Sequence, residues 1–294
     1  MSIIAVRSFP FFFLVNFIAL AINLANIRSS LLSVATSRLG KYAKYFALTI
    51  LFLVIILNLI RFARLASNDY YFSMEKPQRF GINVVARGRN GVNFVLRNKL
   101  QGPIFNNFDV GGYLDYRLYP SYQVFVDNRP EAYPKNFFAN VYYPMQVNRQ
   151  NFDTVDNTYH FNLVIYDHLD HDEQFLNMLV HHPDWQLVYL DNYLTVFVKK
   201  SVYPQIAQNY AVTEANFNYQ SSDYYDNIFL ARVSLFLGWN IKAQNYLRAA
   251  YQLNPNSLSA LNTLGSQYVS NPATAILGRQ MLERYNQRIS LIWF

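Results

Sequence analysis

Cysteine is absent from all 294 residues, which excludes a disulfide framework, thiolate chemistry and a cysteine-based zinc site. Acidic residues are absent from the first 65 positions, although Arg7, Arg28, Arg38, Lys41, Lys44, Arg61 and Arg64 all fall there. Those seven account for the entire formal excess of +7, since the remaining 18 of the 25 Lys and Arg are balanced by 18 Asp and Glu. Positive charge therefore flanks apolar sequence instead of forming the basic face that a phosphate backbone requires, and no nucleic-acid partner is expected. Chemical signatures are missing as well: no GxGxxG, Walker lysine, GxSxG or HExxH occurs. No cofactor and no catalytic residue is assigned.

What is present, near the start, is hydrophobic sequence. Phe9 to Ile27 (FPFFFLVNFIALAINLANI) carries no charge and is about long enough to cross a bilayer core as a helix. Its Asn16, Asn23 and Asn26 share one helical face, and amides in lipid seek protein partners. Tyr45 to Ile60 (YFALTILFLVIILNLI) is shorter, but Lys44 and Arg61 can snorkel and extend the span to about residues 44–62. A membrane anchor over residues 1–65 is expected. A cleaved signal peptide fits less well, because no small-residue cleavage site is present and a second span follows. The loop between the spans holds Arg28, Arg38, Lys41 and Lys44, which places it in the cytoplasm and everything after about residue 66 outside. The expected location is the cytoplasmic (inner) membrane, with membrane lipid as a partner and the soluble domains extracytoplasmic.

Residues 66–90 are polar, contain Pro77, Gly81 and Gly88, and read as a linker. From 91 to 200, short helical patterns alternate with apolar strand-like runs: PIFNNF, YQVFVD, NLVIYD, WQLVYL and YLTVFVKK, the last two joined at Asp191 and Asn192 by a two-residue turn. The fold class expected is α/β: a largely parallel sheet in a three-layer domain of roughly 110 residues, ending in an antiparallel hairpin.

Residues 203–294 are helical in pattern. Ala231, Gly238, Ala243, Ala250 and Pro255 occupy the small-residue and proline positions of a tetratricopeptide repeat (TPR), and Leu264, Gly265 and Tyr268 begin a second copy. Repeats of this kind need about three units to bury their faces, so the tail is expected to dock on the α/β domain or on a protein partner, with the closing ISLIWF as a candidate contact.

Ligands of open parallel sheets sit beyond the carboxyl ends of the strands. Three such ends are polar here: Asn106, Asn107 and Asp109; Asp127, Asn128 and Arg129; and Asp167 and His168. Arg129 suits phosphate or carboxylate. The competing account makes the same residues turn-builders, with Asp127 and Arg129 paired and Asn107 satisfying backbone amides. Gly111 and Gly112 resemble a phosphate cradle, although tight packing explains them equally. His168 and His171 lie among acids, but Asp170 with Glu173 three residues later reads better as a capping box than as a metal site, and no metal is assigned.

The run FNNFDVGGYLDYRLYPSYQVFVDNRPEAYP (105–134) resembles the C-terminal extracytoplasmic region of bacterial multi-spanning proteins related to GT-C glycosyltransferases, of the mannosyltransferase-like kind that use polyprenyl-phosphate-linked sugars and often end in TPRs. The similarity covers roughly residues 75–200. Against the pattern N-x-x-x-G-G-Y-L-x-W-x-L-x-P followed by V-F-I-D-G-R-x-E-x-Y, residues Asn107, Gly111, Gly112, Tyr113, Leu114, Pro120, Asp127, Arg129, Glu131 and Tyr133 match, while Tyr116 replaces the Trp and Asn128 the Gly. That family's catalytic acid lies in an outer loop between the first two helices, and here the corresponding loop holds no Asp or Glu. The resemblance therefore implies a chain without the transferase core: the end of a longer or split enzyme, or a stand-alone relative keeping the outer domain. It implies a non-catalytic role, positioning the acceptor or a polyprenyl-phosphate sugar, with Asn107, Asp109, Asp127, Arg129, Tyr133 and Asp167 as candidate ligand-binding residues. The alternative is a TPR-based interaction scaffold at the membrane.

Overall fold

The computed structural model describes residues 38–66, 88–169 and 173–292, together with the helical positions Asn16, Ile18, Ala19 and Ile22. The remainder of the first expected span, most of the expected linker, the Asp170–His171–Asp172 segment and the final Trp293 and Phe294 lie outside the described residues. The chain divides into two units, Met1–Tyr70 and Tyr71–Phe294.

In the first unit, helix α1 (Arg38–Ala66) runs for 29 residues with no acid in its first turn. Leu51, Phe52, Leu53, Val54, Leu57, Leu59 and Ile60 are all exposed, so apolar side chains surround the helix. Its polar side chains turn back onto its own carbonyls: Thr49 Oγ1 donates to Tyr45 O (2.9 Å) and Asn58 Nδ2 to Val54 O (2.7 Å). Among the described residues, no helix is long and apolar enough to cross a membrane.

The second unit is built on a four-stranded sheet. Helix α2 (Arg89–Arg97) leads to β1 (Ile104–Asn106) and α3 (Phe108–Leu118); a wide turn at Phe138–Tyr142 enters α4 (Tyr143–Val147) and α5 (Arg149–Tyr159). Then follow β2 (Leu163–Asp167), α6 (Glu173–Val180), β3 (Trp185–Leu190), β4 (Leu194–Lys199) and α7 (Pro204–Asn209). The strand order is β1-β2-β4-β3. Only β1 and β2 are parallel, with Ile104 opposite Leu163, whereas β2–β4 and β3–β4 are antiparallel. The sheet is thus mixed and not largely parallel, because the second strand of the hairpin, not the first, inserts beside β2.

Alternation along the strands sorts their side chains onto two buried faces. Phe105, Val164, Tyr166 and Phe197 face a cluster with Met145, Phe152, Phe175 and Leu179 of α4, α5 and α6. Ile104, Leu163, Ile165, Val196 and Val198 face Val92, Val95, Val110 and Leu114 of α2 and α3. The result is a helix–sheet–helix sandwich.

YQVFVD is not a strand. It runs along the outer edge of β1, where Asn106 binds it through its side chain, accepting from Phe125 N (2.9 Å) and donating to Val126 O (2.7 Å). On its other side it presses on α3, where a Cβ at Gly111 would lie 2.0 Å from Val126 O. The hairpin turn also differs from the expected two residues. It spans Asp191–Tyr193, because the Asp191 carboxylate accepts from both Tyr193 N and Leu194 N at 2.8 Å.

Two helical hairpins complete the unit: α8 (Tyr224–Phe236) with α9 (Asn240–Leu253), and α10 (Leu258–Val269) with α11 (Ala275–Ile292). Asp223 and Ser257 cap α8 and α10. Ala231, Ala243 and Ala250 are buried between helices, as small residues there should be. Gly238 has a different reason: a Cβ there would have open space, but its φ is +76°, the left-handed turn between α8 and α9. Leu230, Val233, Phe236, Leu237 and Trp239 join the same cluster as Phe105 and Trp185, so the first hairpin docks on the sheet layer.

Candidate functional site

The polar strand ends do come together at the edge where β1 and β2 terminate. Asn107 is fully buried. Its Oδ1 accepts from Asp167 N (2.8 Å) and its Nδ2 donates to Asp167 O (3.1 Å), adding a side-chain rung beyond the last rung of the parallel pair. Asn106, also buried, donates to Asn107 O (2.9 Å) as well as Val126 O, and so links this rung to the Asp127 segment.

Asp127, nearly buried, accepts from Arg129 N and Arg129 Nε, both at 3.0 Å, and from Arg129 Nη2. These Arg129 hydrogen bonds hold its carboxyl below the usual range, against the opposing effect of burial. Asp127 is therefore ionised and unsuited to be a general acid. Tyr133 accepts from Asp127 N (2.8 Å) and stacks on Phe137 with centroids 5.0 Å apart; burial pushes its phenol up. Asp109 sits exposed in the first turn of α3, where the helix dipole favours an acid.

The glycine pair is not a phosphate cradle. Gly112 N already donates to Asn128 Oδ1 (3.1 Å), Phe108 N to Tyr142 Oη (2.8 Å), and Gly111 is fixed by its contact with Val126. Asn107, the N-cap residue of α3, makes no capping bond, because its amide is engaged by Asp167.

Asp167 is also nearly buried and accepts from Leu169 N (2.8 Å). His168 is fully buried; its Nε2 pairs with Asp191 O at 2.9 Å, and among the described residues its Nδ1 has no partner. Burial lowers its pKa to about 4, with Arg232 nearby acting in the same direction. Arg232 of α8 donates to Leu169 O (3.0 Å), and burial lowers its pKa while Asp167 opposes that. Sequence reasoning missed Arg232. The available signal was a lone basic residue in the apolar helix pattern IFLARVSLF. Among the described residues no group of three or more His, Asp or Glu could hold a metal ion.

Most of the candidate set is thus absorbed in building the edge. Arg129 points outward: its side chain is 65% exposed, and its Nη1 has no hydrogen-bond partner among the described residues. A guanidinium whose inner edge is fixed by a buried carboxylate keeps an outer donor edge for an anion. Comparison with family models, with curated proteins and with solved structures finds no match.

Proposed function

We propose that the chain is the membrane-anchored, non-catalytic part of a cell-envelope glycosyltransferase system. In this reading two N-terminal helices span the cytoplasmic membrane and the α/β unit lies outside. Its β1–β2 edge positions the anionic group of a polyprenyl-phosphate sugar or of the acceptor, and the helical hairpins offer a TPR-like face to a protein partner. The observation that carries the reading is Arg129, oriented by buried Asp127 and open to solvent at a sheet edge. What supports the membrane part is the exposed apolar run of α1 from Leu51 to Leu57, together with Thr49 and Asn58, whose side chains are satisfied internally as lipid demands.

The test is titration of the full chain in lipid nanodiscs with a polyprenyl phosphate. Arg129→Ala is expected to weaken binding about tenfold or more, Arg129→Lys to weaken it less, and both to melt near the wild-type temperature. Undiminished binding by Arg129→Ala overturns the proposal. Loss of stability in step with binding, in Asp127→Ala and Arg129→Ala alike, returns the pair to a turn-building role.

A further inference from the structure

At the opposite margin of the sheet, beyond β3, an open groove of about 490 Å³ is lined by aromatic rings and amides, among them Phe94, Tyr189, Tyr210, Tyr219, Asn216 and Asn218. The volume is that of a small-molecule site. Among the described residues, no charged side chain lines it.

The groove is built before any ligand arrives. Its outer wall is tied to β3 by Val212 N donating to Leu187 O (2.9 Å). Asn216 braces that wall, accepting from Thr213 N (2.8 Å) and donating to Ala211 O (2.7 Å). The Tyr246 hydroxyl donates to Tyr219 O (2.9 Å), and the Tyr189 hydroxyl to Asp191 Oδ2 (2.6 Å). Phe94 centres the aromatic lining, 5.3 Å from both Tyr189 and Tyr210, with the Tyr210 ring edge-on at 83°. Tyr210 remains 45% exposed, and Asn218 is exposed with no side-chain hydrogen bond among the described residues.

We infer that this groove binds a neutral saccharide. Aromatic faces carry negative partial charge and attract the C–H face of a pyranose ring, while the Asn218 amide and the tyrosine hydroxyls match sugar hydroxyls. The uncharged lining disfavours a phosphate or a sugar acid, since ionic ligands need a compensating charge. Its openness, with the exposed amides of Asn216 and Asn218 in the lining, disfavours a lipid tail, which requires an enclosed apolar slot. The site is separate from the Arg129 edge and does not depend on it.

The experiment uses the full chain in nanodiscs and saturation-transfer NMR with cellobiose, lactose and a mannobiose. At least one disaccharide should bind saturably. Tyr210→Ala should weaken it about tenfold and Asn218→Ala should weaken it measurably. Tyr210→Phe, which keeps the ring but loses the hydroxyl, should weaken it less than Tyr210→Ala does, and Arg129→Ala, which lies at the other site, should bind as wild type. The inference fails if none of the three saccharides saturates, if Tyr210→Ala binds normally, or if Arg129→Ala alone abolishes binding. Preferential saturation by a prenyl alcohol overturns it in favour of a lipid. The Arg129 titration with polyprenyl phosphate is read independently, so either reading can fall without the other.

Discussion

Asn107 replaces a strand rung with a side-chain amide, and its loss would remove the hydrogen bonds it makes with both the N–H and the C=O of buried Asp167. Asn107→Ala is expected to cost about 2 kcal/mol, seen as a lower urea midpoint at unchanged slope. An unchanged midpoint would show that water replaces the amide. Asn107→Asp should cost more, since it sets a carboxylate against the Asp167 carbonyl. The same residues show what was legible at this scale. The Asp127–Arg129 pair could be read from its spacing, because a carboxylate two residues before an Arg closes a turn with its N–H as well as its guanidinium. The direction of the asparagines could not, since an amide that binds ligand and one that stitches backbone have the same chemistry. Only the fold shows that Asn106 and Asn107 face inward.

Among the elements, the β3–β4 turn, the end of β2 and α8 are locked by polar contacts: His168 to Asp191 O, Arg232 to Leu169 O, and Asn192 to Asp226. His168 is held neutral, with its pKa lowered from 6.5 to about 4. The unfolded chain therefore binds more protons than the folded one between those values, and folding stability falls as pH drops from about 6.5 toward about 4. His168→Gln, which keeps a donor for Asp191 O but does not titrate, should flatten the dependence of unfolding free energy on pH across that window. An unaltered profile would assign it to carboxylates instead. Strands β2, β3 and β4 were legible as apolar runs. Their directions were not, because a strand buried on both faces reads the same whether its neighbours run parallel or antiparallel. YQVFVD carried a strand pattern, but its outer position is set by Asn106 and Gly111, which lie 16 and 11 residues before its first residue, Tyr122.

Over the whole second unit, one hydrophobic cluster runs from Phe105 and Trp185 through Leu230 to Trp239. The change of pattern near residue 200 was legible in the sequence, yet it marks a switch of architecture within a shared core. Removal of residues 203–294 should therefore leave the sheet layer aggregated or molten, without a cooperative thermal transition. A truncated chain that melts cooperatively would show that the strands need no helical support. The side-chain clasp of Asn106 on the outer border of β1 also bears on how molecules meet. A backbone row left open there would invite a second copy to zip on, and polymers could grow from it. With that border already taken, copies held at high density stay individual at this seam, and crowding alone does not turn them into fibres through it.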